Sequence, residues 1–264
     1  MVPMHPDAAQ LAARLSSARH ITVLTGAGIS AESGLRTFRG GTTSSAAAPP
    51  DMAALWKDFD PATLATPEAF ERDPELVTRW YDWRRLGCLA AEPNPGHLAL
   101  AEIERLITSR GGRFTLLTQN VDRLHHRAGS RNVIELHGSI ILWRCCRTGK
   151  TVEPPATAFE SFPPPSPFAA GALLRPDVVW FGEALPPDAV SAAQEAAMTC
   201  DVFLSVGTSS VVYPAAGFIQ HAARRGAHTF EINLEQTPIS GLVDLSVRAK
   251  SGDTLPKVAD SMRA

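Results

Sequence analysis

ITVLTGAGISA, residues 21–31, runs from five consecutive apolar or β-branched residues directly into Gly-Ala-Gly. A short unbroken apolar run that stops at glycine is the pattern of a strand buried on both faces. The residues behind it sharpen the reading. Gly26, Gly28 and Ala31 match the spacing G-x-G-x-x-G/A directly after a strand, where glycines allow a tight turn and a close approach of backbone to a pyrophosphate. Alone, this match is a weak pointer to a dinucleotide.

Four further runs have the same design: FTLLTQN (114–120), NVIELHG (132–138), DVFLSVGTSS (201–210) and HTFEINLE (228–235). Helical periodicity fills the spaces between them, near 74–91, 97–109, 187–199 and 214–225, and there is no internal repeat. The N-terminus reads as a short amphipathic helix with Leu11 and Leu15 on one face. Strands alternating with helices predict an α/β fold, a Rossmann-like parallel sheet with helices on both faces. Two segments break the rhythm. Residues 40–53 are small, polar and uncharged until Asp51, and residues 148–176 hold seven prolines with little periodicity. The large part is expected from about 1–36, 93–139 and 178–264, with a small module from about 37–92 and 140–177.

Composition narrows the function classes. A hydrophobic fraction of 44% with 20% charged residues predicts a packed core. A net charge of −2 without a basic run argues against nucleic acid as a partner. No apolar stretch reaches the roughly 20 residues of a membrane span, and residues 1–20 lack the apolar core of a signal peptide. Four cysteines (Cys88, Cys145, Cys146, Cys200) are too few for a disulfide scaffold, so a cytoplasmic protein is expected.

In open α/β sheets, ligands bind outside the carboxyl ends of the strands. That edge should gather Gly26–Ser30, Gln119, Asn120, Asp122, His137, Gly207–Ser210, Asn233 and Glu235. The segment 118–138 contains His125, His126 and His137, and only His137 closes a predicted strand at this edge. A hydride-transfer dehydrogenase would carry an acidic residue about 20 positions beyond the first glycines. A Gly/Thr/Ser/Ala run stands there instead, so a dinucleotide used for other chemistry is expected.

Taken together, GAGISAESGLRTFRG (26–40), TQNVD (118–122), LHHRAG (124–129), ELHG (135–138), LRPDVVWFGE (174–183), GTSS (207–210) and INLE (232–235) resemble, in order and spacing, the sirtuins, NAD-dependent protein lysine deacylases. The resemblance spans about residues 20–256 and implies a single catalytic domain using NAD. It implies His137 as the base that takes a proton from a ribose hydroxyl, with Asn120 beside it in catalysis. It places Gly26, Ala27, Gly28, Ser30, Glu32, Thr37, Phe38 and Arg39 around the phosphates and nicotinamide. Gln119, Asn120 and Asp122 would surround the nicotinamide ribose; Gly207, Thr208, Ser209, Asn233, Glu235 and Ser251 would lie elsewhere along the cofactor. Val179, Phe181, Gly182 and Glu183 fall where sirtuins pair a substrate peptide as an added strand. The products implied are free lysine, nicotinamide and O-acyl-ADP-ribose. The expected partners are acyl-lysine proteins or peptides, and a monomer is expected. His125 is expected to pack and His126 to face solvent.

Tyr81 and Arg84 stand three apart on the predicted 74–91 helix and so share a face. A sirtuin subgroup with Tyr-x-x-Arg here removes acidic acyl groups such as succinyl and malonyl, and a guanidinium fork suits a carboxylate. GLRTFR (34–39) resembles bacterial members of that subgroup, and acetyl-lysine stays a candidate. The chain also departs from the family. Thr148 stands where a zinc-binding cysteine would follow Cys145, and residues 147–199 contain neither Cys nor His. No structural zinc is expected, and the proline-rich insert is expected to be held by packing alone. Relatives place a Gly-Leu-Trp element soon after the Phe-Arg pair, whereas here Trp56 comes later. Two alternatives stay open: a mono-ADP-ribosyltransferase and a catalytically idle NAD-binding module.

Overall fold

The computed structural model describes residues 6–35 and 61–263. Its centre is β1 (His20–Thr25), buried along its whole length. Residues 21–25 pair in parallel with both β2 (Arg113–Thr118) and β7 (Val202–Val206), so the strand has no free edge. The main sheet has the order β3-β2-β1-β7-β8-β9, completed by β3 (Val133–Glu135), β8 (His228–Asn233) and β9 (Leu245–Arg248). Every pairing in it is parallel. The chain leaves β1 in one direction and later returns to its other side. The connection therefore reverses between β1 and β7, which opens a crevice at their carboxyl ends.

Both faces of β1 are apolar because helices cover both. Ile21 and Val23 join Leu11 and Leu15 of α1 (Pro6–Ser17), Leu100 and Ile103 of helix Pro95–Ser109, and Leu255 and Val258 of helix Ser251–Arg263. Leu24 faces the other way, into Ala193, Ala197, Phe218 and Ala222 of helices Pro187–Thr199 and Phe218–Arg224. Thr22 lies on that second face, and its hydroxyl donates to Ala196 O (3.0 Å). Alternation along the strand thus serves two cores instead of one.

A three-stranded antiparallel sheet stands apart from the main one, in the order β5 (Thr151–Val152), β4 (Gly138–Cys145), β6 (Leu174–Val178). NVIELHG is therefore not one strand. β3 stops at Glu135, and β4 starts at Gly138 in the other sheet. Gly138 makes the switch at φ +74°, and a Cβ there would lie 2.2 Å from Asp177 O. Only glycine accepts both conditions. β9 and the terminal helix are elements that periodicity did not reveal. Only Val247 of β9 is buried, so that edge strand has no continuous apolar run.

A 17-residue helix, Pro74–Ala90, packs Val77, Trp80 and Tyr81 onto Ile140, Trp143 and Leu174 of the small sheet. Pro74 sits in its first turn, and Asp73 caps it by accepting from Leu76 N–H. The proline-rich insert is held by more than packing. Arg85, fully buried, pairs with Asp82 (2.6 Å) and donates to the carbonyls of Pro155 and Thr157 (2.7 Å each). Asp82 accepts from Phe159 N–H (3.2 Å), and the Phe159 ring meets Trp143 edge-on at 4.7 Å. Backbone groups of an irregular segment must be satisfied when buried, and one ion pair supplies those partners.

Arg85→Met leaves Asp82 buried without its counter-charge and should cost about 3–5 kcal/mol. Urea unfolding should show that loss. The double variant Asp82→Leu/Arg85→Met, with no stranded charge, should recover part of it.

Candidate active site

At the switch point the loops after β1 and β7 meet backbone to backbone. Gly26 N–H donates to Val206 O (3.1 Å) and Gly28 N–H to Gly207 O (2.7 Å). A Cβ on Gly28 would stand 2.6 Å from Gly207 O, so its lack of a side chain answers first to this contact. The helix Ala27–Ala31 begins here with no side-chain cap on its first N–H groups. Gln119 N–H donates to Thr25 O (3.0 Å), and its side-chain amide to Thr208 Oγ1 (3.1 Å). Asn233 Nδ2 donates to Thr208 O (3.2 Å). Ser209 is half-buried beside them, and Glu235 is exposed.

Beneath this edge lies a buried polar network. Asn120 Nδ2 donates to Gly26 O and to Ser30 Oγ (3.0 Å each). Both amide hydrogens are thus used inside the protein, and the amide oxygen is what Asn120 offers a ligand. Ser30 Oγ donates to Asp122 Oδ2 (2.7 Å), whose Oδ1 accepts from Leu124 N–H (2.9 Å). Burial raises the Asp122 carboxyl above its ordinary range, opposed by these two bonds and by Arg127. His97 Nδ1 accepts from Asn94 N–H (3.4 Å), which places its proton on Nε2, toward Ser30 Oγ (3.4 Å). His125 is buried, its ring tilted 56° against His97 with centroids 4.7 Å apart, and its Nε2 meets Thr25 Oγ1 at 2.9 Å. Burial holds both imidazoles neutral: His97 falls to about 4 and His125 well below its ordinary value.

His137 sits in the two-residue step between β3 and β4, half-buried. Its Nδ1 lies 3.0 Å from Gln119 O. A carbonyl only accepts, so Nδ1 carries the proton and Nε2 keeps a free lone pair. Burial lowers its pKa, opposed by that bond, so it is neutral at pH 7. A neutral, oriented imidazole can act as a general base. His126 is exposed, with Nδ1 3.7 Å from Glu135.

On the small-module side, Tyr81 is buried and Arg84 half-buried. The Arg84 guanidinium lies 5.3 Å from the Tyr81 ring centre and 4.5 Å from that of Trp80. Burial pushes the Tyr81 phenol up to about 12, against the opposing charge of Arg84, so it keeps its proton. Val179 N–H donates to His137 O (3.0 Å) and Phe181 N–H to Ala65 O (2.8 Å), which ties the stretch 179–183 to the histidine. Phe181 and Gly182 are exposed there. Glu183 braces the stretch: it takes both arms of Arg175 (2.7 and 2.9 Å) and Trp180 N–H (2.8 Å).

Glu32 and Ser251 meet each other. Ser251 Oγ donates to Glu32 Oε1 (2.5 Å) and Gly252 N–H to the same carboxylate (3.1 Å), so Glu32 caps the terminal helix. Thr37, Phe38, Arg39 and Trp56 lie outside the described residues. Asn94, His97, Thr25 and Thr118 belong to the network and were missed. The signal for two of them is Asn-Pro-Gly-His, whose Asn94 and His97 form a reciprocal cap at a helix start. The switch-point backbone and the buried Ser210 hydroxyl, which has no partner among the described residues, fit a dinucleotide. The thiols do not fit a Cys₄ zinc: Cys145 is buried in the small-module core, while the adjacent Cys146 is exposed. Among the described residues no three His, Cys, Asp or Glu gather as metal ligands, and no helix is long and apolar enough to cross a membrane.

A histidine whose folded pKa is depressed adds stability that is present above its unfolded value and lost as pH falls. For His97 that window runs from 6.5 down to about 4, worth about 3 kcal/mol at its lower end. Melting temperature should fall across this window in calorimetry, and less steeply in His97→Gln.

The Sir2 family profile matches residues 26–214. A protein of Thermus thermophilus named NAD-dependent protein deacylase is 50% identical over 237 residues, covering 89% of this chain and 87% of its own. The mitochondrial NAD-dependent protein deacylase sirtuin-5 of Canis lupus familiaris is 40% identical over 263 residues, covering 92% and 81%. The fold superposes on a Sir2 homologue in complex with NAD at a TM-score of 0.87, with 42% identity, over 98% of this chain and 95% of that one. It also superposes on a Sir2 variant bound to a deacetylated p53 peptide and 3′-O-acetyl-ADP-ribose, at 0.81 and 30% identity, over 96% and 97%. The crevice between β1 and β7, the oriented His137 and this similarity across nearly the whole chain agree: the protein belongs to the Sir2 family, the sirtuins.

Proposed function

We propose that this NAD-dependent protein deacylase prefers lysines whose acyl group ends in a carboxylate, succinyl or malonyl, with acetyl-lysine as a lesser substrate. The observation that carries the preference is Arg84, its guanidinium stacked beside the Trp80 and Tyr81 rings. Stacking on aromatic faces fixes the plane of the fork, and a guanidinium gives up its hydration more readily than an ammonium. Tyr81 keeps its hydrogen and adds a neutral donor. A terminal carboxylate would add a charge-assisted hydrogen bond to Arg84 that an acetyl group cannot make, so the pair favours acidic groups by difference.

Bound NAD would supply the ribose carbon that accepts the acyl oxygen, with nicotinamide as the leaving group; with one water from solvent consumed, free lysine and O-acyl-ADP-ribose are the expected products. His137 Nε2 is the base for the ribose hydroxyl, held in that tautomer by Gln119 O. Asn120 presents its amide oxygen. Gly26, Ala27, Gly28, Gly207, Thr208 and Ser209 form the cofactor crevice, and Gln119, Asp122, Asn233, Glu235, Glu32 and Ser251 bind or support it from its rim. Val179, Phe181 and Gly182 receive the peptide backbone. The protein works as a monomer and without a structural zinc, the Arg85–Asp82 pair holding the insert instead.

One peptide carrying succinyl-lysine or acetyl-lysine tests this. Wild type should favour the succinyl form, and Arg84→Met should cut kcat/KM for it by about 10- to 100-fold while sparing the acetyl form. Equal losses on both peptides would count against carboxylate recognition. His137→Tyr should lower both rates by about 10²–10⁴-fold. The wild-type kcat/KM profile should lose activity on the acid side only below 6.5, the ordinary imidazole value from which His137 is lowered.

A further inference from the structure

The helix that carries Tyr81 and Arg84 ends at Ala90. Its last carbonyls have no partners within the helix. Arg127 meets them from the large part of the molecule. Its Nη1 donates to Ala91 O (2.5 Å) and, at longer range, to Cys88 O (3.3 Å) and Leu89 O (3.4 Å). Its Nη2 pairs with the carboxylate of Glu92 (2.9 Å). A cation at a helix C-terminus also complements the helix dipole.

Arg127 is the last residue of the four-residue helix Leu124–Arg127. That helix starts from the cofactor loop: Leu124 N–H is held by Asp122, and Arg123 adopts φ +61° with its guanidinium 3.4 Å from Glu135. A helix of four residues has no stability of its own, so its orientation is set by what its two ends hold. One end holds Asp122. The other holds the end of the acyl-reading helix, one to two turns beyond Arg84. A helix moves along its axis as a rigid body, so whatever fixes Cys88–Ala91 also fixes Arg84 relative to Asn120 and Asp122.

We propose that Arg127 is a positioning residue for acyl selectivity: it sets the register of the Tyr81–Arg84 helix against the cofactor loop. This rests on the carboxylate reading given above. Displacement of about 1 Å from a reactive geometry is costly, and it harms a directional contact to a carboxylate more than a loose contact to a methyl group. Arg127→Met should therefore raise the KM for a succinyl peptide and lower its kcat/KM about tenfold, while acetyl-peptide turnover and the KM for NAD stay within about twofold.

The test measures wild type, Arg127→Met, Arg127→Lys, Arg84→Met and Arg84→Met/Arg127→Met on both peptides, each checked for wild-type circular dichroism. Arg127→Lys keeps the charge but not the fork, and should fall between wild type and Arg127→Met. In the Arg84→Met background, removing Arg127 should have no further effect on selectivity, because the coupling passes through Arg84. A wild-type succinyl preference that survives Arg127→Met would overturn the positioning role alone. So would equal losses on both peptides, or a loss carried by the KM for NAD. A wild type that does not favour the succinyl peptide would overturn the carboxylate reading and this inference with it.

Discussion

The structure depends on a backbone contact at the centre of the sheet. Gly28 N–H bonds Gly207 O at 2.7 Å, with no room for a side chain on Gly28. The contact pins the two loops that flank the switch point, so the first turn of the helix Ala27–Ala31 and the Thr208 region face one crevice. Gly26 passes the constraint downward: its carbonyl accepts from Asn120, which orders Ser30, which donates to Asp122. A chain of buried donors and acceptors, each satisfied by the next, is rigid because any displacement leaves a buried polar group unpaired.

A second constraint holds the two sheets together at His137. Gln119 O fixes one ring nitrogen, His137 O accepts from Val179 N–H, and Gly138 turns the chain into the small sheet. His137, the proposed base, therefore stands on the junction between the part that forms the proposed cofactor crevice and the part that carries Tyr81, Arg84 and the 179–183 stretch. Catalysis of acyl transfer needs both halves brought to one atom, and a residue on the junction is positioned by both. The small module relies on Arg85, whose burial is tolerable only because Asp82 and two carbonyls neutralise and bond it.

Legibility followed burial. β1, β2, β7 and β8 were readable because strands covered on both faces form unbroken apolar runs. β9 is an edge strand with one buried residue, and β6 is interrupted by Arg175, Pro176 and Asp177, so neither produces such a run. The break inside NVIELHG was hidden because Leu136, in the turn, is fully buried, more so than the half-buried strand before it, and so continues the apolar run. Most of the crevice between β1 and β7 was visible as small and polar residues at strand ends. Glu32 and Ser251 were read as cofactor neighbours, and the structure shows what each touches: the other.

The sequence by itself determined the alternation of strand and helix, the glycines of the first turn and the placing of His137 at the carboxyl edge of the main sheet, because these rest on local pattern and on strand direction. It also supplied Tyr81 and Arg84 as a pair, since helical spacing alone puts residues three apart on one face. Only the tertiary structure decided which nitrogen of His137 is free, since that follows from a carbonyl 18 positions away. Only it separated Arg84 from Arg85: adjacent residues on a helix point about 100° apart, and which direction meets solvent and which meets Asp82 and the insert depends on segments some seventy residues later. A local pattern records what the backbone can form; burial, charge pairing and tautomer are set by whatever the fold brings alongside.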